Sequence, residues 1–225
     1  MREAVEKKVL SENDRLAAAL RQRYRDEGIL CVNLVSSPGS GKTALLEKTL
    51  AAFSKDTAVA VLTGDLQTDN DARRLARYGF PVRQIVTGGT CHLDARMVDR
   101  HLNEMGFRGP GILFIENVGN LVCPSSYDLG EAAKIVLLSV TEGEDKPLKY
   151  PGIFHRSTLM ILTKTDLLPH LEFSAELALE NARKIHPEID TIALSARTGE
   201  GLDLWMDWLV ALQQKVQRQA AAAIT

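Results

Sequence analysis

Eight consecutive residues, Ser36-Ser-Pro-Gly-Ser-Gly-Lys-Thr43, have the types and spacing to hold a chain of phosphates. Gly39 and Gly41 let the backbone wrap closely, so that the N–H groups running from Gly39 through Ser40 to Ala44 can point at phosphate oxygens. Lys42 would reach the β- and γ-phosphates and the Thr43 hydroxyl would meet Mg²⁺. An apolar run, residues 30–35, leads into the loop, and an amphipathic stretch, 44–53, leaves it, which is the strand, loop and helix context the chemistry requires. The usual pattern opens with Gly where this chain has Ser36.

Carboxylates follow at two further strand ends. Glu116, in Ile112-Leu-Phe-Ile-Glu-Asn-Val-Gly119, is placed to hold the hydrated metal, and the Gly119 N–H to meet the γ-phosphate. The cluster Gly64-Asp-Leu-Gln-Thr-Asp-Asn-Asp71 lies just after the run 58–62, where Asp65 and Asp71 could serve the metal or the attacking water. Lys42, Asp65, Asp71 and Glu116 are therefore the candidate catalytic set, with Thr43, Asp65 and Glu116 as Mg²⁺ ligands. Asp69 or Asn70 would cap a helix reaching Tyr78.

The base is read from Thr163-Lys-Thr-Asp166 and Ser195-Ala-Arg197. A carboxylate at Asp166 can accept from both N1–H and the 2-amino group of guanine, whereas adenine would leave it unpaired, a difference worth roughly 10⁴-fold. Lys164, Ser195, Ala196 and Arg197 complete this expected pocket, and GTP is preferred over ATP. The two segments resemble the Asn-Lys-x-Asp and Ser-Ala-Lys motifs of GTPases, with Thr163 in place of Asn and Arg197 in place of Lys.

A third chemistry is suggested by Thr90-Cys-His92 and Val122-Cys-Pro124. Two thiols and an imidazole suit Ni²⁺ or Zn²⁺ better than Mg²⁺. Cys91, His92 and Cys123 are one ligand short of a closed structural site, which points to an exchangeable site or one completed by a second subunit. An adjacent Cys-His is weak evidence alone, since a buried Cys beside a hydrogen-bonded His is common. Cys31, inside an apolar run, reads as core.

Taken in order, the phosphate loop, Thr63-Gly-Asp-Leu-Gln-Thr-Asp-Asn-Asp71, Thr87-Gly-Gly-Thr-Cys-His-Leu-Asp-Ala95, Glu116-Asn-Val-Gly-Asn-Leu-Val-Cys-Pro124 and Glu144-Asp-Lys-Pro-Leu-Lys-Tyr-Pro151 resemble the hydrogenase nickel-incorporation GTPases of HypB type, SIMIBI-class P-loop proteins. The resemblance covers about residues 30 to 210. It implies a homodimer dependent on nucleotide and metal, using GTP, Mg²⁺ and Ni²⁺ or Zn²⁺, that hands nickel to the large subunit of [NiFe] hydrogenase with a HypA-type nickel metallochaperone as partner. It also implies metal on Cys91, His92 and Cys123, and Lys149 is a candidate to reach a nucleotide across the dimer. The sequence shows neither a His-rich stretch nor a Cys-rich N-terminal nickel motif. A urease accessory GTPase, or a GTP-gated switch with inert cysteines, are the rival readings.

Positioning these groups needs a largely parallel sheet with helices on both faces: β-branched apolar runs at 30–35, 58–62, 82–86, 111–115, 134–140, 159–162 and 189–194 alternate with helical stretches. Residues 1–27 form an amphipathic helical lead-in through Val5, Val9, Leu10, Leu16, Ala19 and Leu20; 28–215 form the GTPase domain; and 216–225 are a tail that extends the last helix. The segment 143–152, with its two prolines, reads as a mobile loop. Lys and Arg (27) nearly balance Asp and Glu (29), so charge announces no nucleic-acid partner. A charged N-terminus and the lack of any run of about 18 apolar residues point to the cytoplasm with no membrane segment.

Overall fold

The computed structural model describes residues 2–65 and 69–223. Met1, residues 66–68 of the acidic segment and the last two residues of the tail lie outside the described residues, as does the side chain of Val5. Seven strands are found among the described residues: β1 (Ile29–Ser36), β2 (Val59–Asp65), β3 (Val82–Val86), β4 (Gly111–Glu116), β5 (Ala133–Ser139), β6 (Leu159–Thr163) and β7 (Asp190–Ala193). They form one sheet, in the order β3-β2-β4-β1-β5-β6-β7, and every pairing is parallel. β1, β4, β5 and β6 are buried at every residue, as strands covered on both faces must be.

Eight α-helices accompany the sheet among the described residues: α1 (Arg2–Glu27), α2 (Lys42–Ala52), α3 (Asn70–Ala76), α4 (Ala95–Met105), α5 (Lys146–Lys149), α6 (Pro151–Arg156), α7 (Ala175–Ile185) and α8 (Leu202–Ala223). On one face, Leu30, Val32 and Leu34 of β1 pack with Leu45 and Leu50 of α2 and Trp205 of α8. On the other, Cys31 packs with Ala17, Leu20 and Tyr24 of α1 and with Val98 and Leu102 of α4, while Val136 and Leu138 of β5 meet Phe154 of α6 and Ala182 of α7. Because β1 has β4 on one side and β5 on the other, the chain reverses direction across the sheet at the carboxyl end of β1. That is the crevice where open parallel sheets bind ligands.

Three expectations change. β2 runs three residues further than the apolar run suggested, so Asp65 is the last residue of the strand and not part of the loop after it. The 143–152 segment is ordered: Lys146 N–H donates to Gly143 O, Lys149 N–H to Asp145 O and Tyr150 N–H to Lys146 O, and the prolines take the opening turns of α5 and α6, where their missing N–H costs nothing. On α1 the buried stripe is Asn13, Ala17, Leu20 and Tyr24, spaced four, three and four, while Ala19 and Val9 are exposed. Small residues define a helix face poorly, and only the spacing selects Ala17 over Ala19.

Asn13 fastens this helix to the core. Its Nδ2 donates to Asp128 O at 2.9 Å and its Oδ1 accepts from Ala95 N–H, at the start of α4, at 2.9 Å. Replacing Asn13 by Ala removes the partner of both backbone groups and leaves the Ala95 N–H buried without one, and urea denaturation should show a loss of about 1–3 kcal/mol. A loss within a few tenths of a kcal/mol would mean that α1 is held by its apolar stripe alone.

Candidate nucleotide and metal sites

The phosphate loop emerges at the carboxyl end of β1 and surrounds a cleft of about 480 Å³. Pro38, Gly39, Gly41, Lys42, Thr43, Ala44, Asp65, Asp71, Glu116 and Gly119 all line it, so most of the residues expected at the phosphates do converge. Gly39 and Gly41 adopt φ of 76° and 99°, left-handed values that let the loop turn back on itself. Gly119 lies so close to the loop that a Cβ there would stand 2.9 Å from Pro38 Cα.

Lys42 is buried and donates to Ser36 Oγ at 2.8 Å, which gives the non-glycine opening residue of the loop a role as a rest for the lysine. Burial pulls the Lys42 pKa down, while Glu116, Asp71 and Glu142 pull it back up. Thr43 Oγ1 donates to Glu116 Oε1 at 2.6 Å, and the other carboxylate oxygen of Glu116 is buried without a partner. Burial pushes the Glu116 carboxyl from 4.5 up to about 7, against Lys42 and the Thr43 hydrogen bond, which lower it. A buried carboxylate with one oxygen unsatisfied, beside a hydroxyl, fits a hard divalent cation such as Mg²⁺.

Asp71 enters the cleft from the first turn of α3, but Asp69 turns outward to Arg73 at 2.8 Å and makes no cap hydrogen bond. The helix stops at Ala76 rather than Tyr78. Two residues at this site escaped the motif reading. Arg74 lines the cleft, gripping Glu47 of α2 at 2.7 Å and reaching Asp71 at 3.3 Å. Its spacing of three from Asp71 puts the two on one helix face, which was the available signal. Glu142 accepts from Ser40 Oγ at 2.8 Å and from Ser139 N–H at 3.1 Å, tying the end of β5 to the phosphate loop. No motif announced it.

On the base side, Asp166 Oδ1 accepts from Ser195 Oγ at 2.6 Å, and the same hydroxyl oxygen accepts from the N–H groups of Arg197 and Thr198 at 3.2 Å. Arg197 stands 3.9 Å from Asp166 with its own side chain largely in solvent. Lys164 has a φ of 61°, a left-handed turn that directs the following residues back over the end of β6. Thr163 Oγ1 donates to Ser40 O at 2.7 Å, so the threonine that replaces Asn still clamps the base loop to the phosphate loop. Lys149 does not line the phosphate cleft of its own subunit; it pairs with Asp145 at 2.6 Å on the surface.

Cys91, His92 and Cys123 come together from two loops, with one ligand atom of each within 4.8 Å of the others. Cys91 Sγ lies 2.6 Å from Cys123 Sγ, and this shared hydrogen bond is the first reason that the Cys123 thiol is pushed up, burial adding to it. His92 stacks on Tyr127 with ring centroids 3.7 Å apart, and its Nδ1 is buried without a partner. Burial lowers the His92 pKa, with Asp94 opposing, so the ring is neutral at pH 7 and has a lone pair to give. Two sulfurs and an orphaned imidazole nitrogen fit a borderline or soft divalent metal. Cys31 is fully buried 31 residues into the chain and is no part of this cluster.

A parallel sheet with a glycine-rich phosphate loop at its switch point, a carboxylate on the neighbouring strand and an Asp166–Ser195 base pocket define a P-loop GTPase. The nucleotide-binding domain of the CobW/HypB/UreG family matches residues 30–193, and the chain belongs to that family, in its HypB group. It is 53% identical over 205 residues to the hydrogenase maturation factor HypB of Azotobacter chroococcum mcd 1, covering 91% of this chain and 67% of the relative. The Escherichia coli K12 protein of the same name is also 53% identical, with 91% and 71% covered. HypB from Helicobacter pylori, solved in complex with nickel, superposes with a TM-score of 0.84 at 43% identity, covering 91% of this chain and 96% of that one.

Glu116 gives the site a pH signature. Its folded carboxyl titrates at about 7 against 4.5 when unfolded, so between these values the folded chain holds the extra proton and stability falls as pH rises. Without nucleotide or metal, the stability of Glu116→Gln relative to the parent should therefore grow between pH 5 and pH 8, by up to about 3 kcal/mol. Parallel stability profiles in urea at the two pH values would show that Glu116 is ionised throughout.

Proposed function

We propose that this protein is a GTP-hydrolysing metallochaperone that binds nickel or zinc on Cys91, His92 and Cys123 and assists nickel insertion into [NiFe] hydrogenase. The observation that carries the reading is the convergence of those three ligands from two loops, one of them continuous with the phosphate cleft: Glu116 and Gly119 line the cleft and Cys123 follows four residues later. Support also comes from the relatives, which are hydrogenase maturation factors, and from the nickel found with the Helicobacter pylori protein. The partners proposed are a second copy of the chain, a HypA-type metallochaperone and the hydrogenase large subunit, with Lys149 as a contact to the nucleotide of the other copy. The setting proposed is the cytoplasm; no helix among the described residues is long and apolar enough to cross a membrane.

In this mechanism the phosphate-loop N–H groups and Lys42 would hold the phosphate oxygens, while Thr43, Glu116 and Asp65 would hold Mg²⁺. When bound, Mg²⁺ would offset the charge that develops on the phosphates. Asp71, fixed by Arg74, faces the terminal phosphate and orients water for attack. The Gly119 N–H reports whether that phosphate is present. Asp166, held by Ser195, selects guanine.

Two measurements test the parts separately. Asp166→Asn keeps an acceptor for N1–H but turns an amide N–H toward the guanine 2-amino group, donor against donor, so GTP affinity should fall by at least about 100-fold. Xanthosine triphosphate, which has a carbonyl in place of the 2-amino group, should gain affinity; unchanged GTP binding would remove Asp166 from the site. Calorimetric titration with Ni²⁺ and Zn²⁺, in GDP and in a non-hydrolysable GTP analogue, should show binding that Cys91→Ala abolishes. Absence of binding in every state would leave a GTPase whose cysteines are inert.

A further inference from the structure

Two charges and two amides lie in the sheet or next to its strands, at positions that hold neither the phosphates nor the base. Asn33 of β1 and Asn117 after β4 are buried, and Lys134 of β5 and Glu131 keep only 8% and 6% of their side chains exposed. Burying such groups costs several kcal/mol per ion unless each finds partners. They do find partners, in a line. Asn117 Nδ2 donates to Asn33 Oδ1 at 3.3 Å, and Asn33 Nδ2 donates to Glu131 Oε1 at 3.1 Å. Glu131 pairs with Lys134 at 3.4 Å, and Lys134 Nζ donates to Pro124 O at 3.1 Å and Tyr127 O at 3.0 Å.

The two ends of this line are what give it meaning. Asn117 Oδ1 accepts from Val118 N–H at 3.0 Å, in the segment that leads to Gly119 at the phosphate cleft, and from Leu93 N–H at 3.2 Å, next to His92. The Leu93 side chain also presses on the end of β2, where a Cβ on Gly64 would stand 2.9 Å from it. At the other end, Lys134 grips the carbonyls that follow Cys123 and the backbone of Tyr127, the residue on which His92 stacks. A single hydrogen-bonded path thus joins the 118–119 segment to both metal-bearing loops, with no exposed member between Asn117 and Lys134.

We propose that Asn117, Asn33, Glu131 and Lys134 form a buried positioning relay through which the third phosphate of the nucleotide sets the spacing of Cys91, His92 and Cys123. The relay rests on the metallochaperone reading above. A shift of the 118–119 segment toward a terminal phosphate draws on the Asn117 amide, and the same amide holds Leu93 N–H. The pull passes to the Cys123 turn through three side chains that touch neither nucleotide nor metal. Low dielectric makes each of these bonds expensive to break singly, so the path moves as a unit or not at all. A linkage of this kind is reciprocal: metal must alter GTP-analogue affinity by the factor by which the analogue alters metal affinity.

The test compares Ni²⁺ affinity in GDP and in a non-hydrolysable GTP analogue for the parent chain, Asn33→Ser and Lys134→Met. The parent ratio should be at least about fivefold, the lower end of ordinary coupling, and in both variants it should fall below about twofold. GTP-analogue affinity without metal should stay within about threefold of the parent. A general packing defect would lower both affinities and spare their ratio. Variants that keep the parent ratio overturn the relay, and so does a parent ratio near one. A parent that binds neither Ni²⁺ nor Zn²⁺ overturns the metallochaperone reading instead. Hydrogen exchange on the metal-free parent then decides the relay, as it does if the variants fail to fold. On exchanging GDP for the analogue, protection should change at Leu93 and at residues 125–127 as well as at the phosphate loop. A change confined to the phosphate loop overturns the relay.

Discussion

Successive side chains at the end of a β-strand leave on opposite faces, and in this protein that constraint hands two neighbouring residues to two different sites. Glu116 continues the face of Ile112 and Phe114, toward the phosphate loop and Thr43. Asn117, one residue on, continues the face of Leu113 and Ile115, toward α1, α4 and the loop of Cys91 and His92. β4 lies beside β1, so both residues emerge at the switch point. The loop of Cys91 and His92 is therefore tied, through Asn117, to the same strand end that carries Glu116. Asn117, which holds that loop through Leu93 N–H, is one peptide unit from Glu116 and faces the opposite side of the sheet.

The same logic explains why the fold has the phosphate loop clamped from three sides. Glu142 at the end of β5 and Thr163 at the end of β6 both bond to Ser40, while Ser36 holds Lys42 from below. All three come from strands that run parallel and so end at one edge. A loop rich in glycine has high conformational entropy to lose, and side-chain bonds from rigid strand ends reduce the number of arrangements it can take.

Much of this was legible in the sequence, for reasons that differ by element. Strands buried on both faces are continuous apolar runs, and 82–86 matched β3 at both ends. Chemistry tied to a fixed spacing, as in Ser36–Thr43, was equally plain. What escaped notice were groups whose role depends on contacts distant in sequence. Asn33 and Lys134 sit inside otherwise apolar runs, and their pairing as direct neighbours in the β1–β5 register cannot be read without strand order. Segment 143–152 looked loop-like because prolines mark breaks, but at helix openings they mark beginnings. Ala17 and Ala19 differ only in phase, and Thr163 could be recognised as a clamp only once Ser40 O was seen within reach.

The geometry of the two thiols shows what the positioning of these loops has to achieve. Sulfurs bound to one tetrahedral metal at about 2.3 Å each stand ~3.8 Å apart. Cys91 and Cys123 bring adjacent sulfurs from two different loops, so a metal held by both would need those loops correctly spaced and both thiols would give up their protons to it. Cys123 resists that loss, since its thiol is pushed up by the partner sulfur. That spacing is not set by the strands alone, because the ligands sit on loops after β3 and β4. It depends on the turn at Cys123, which Lys134 grips, and on the segment before Leu93, which Asn117 holds. The relative placement of the two thiols and the imidazole therefore rests on the hydrogen bonds that fix those two loops as well as on the three side chains themselves.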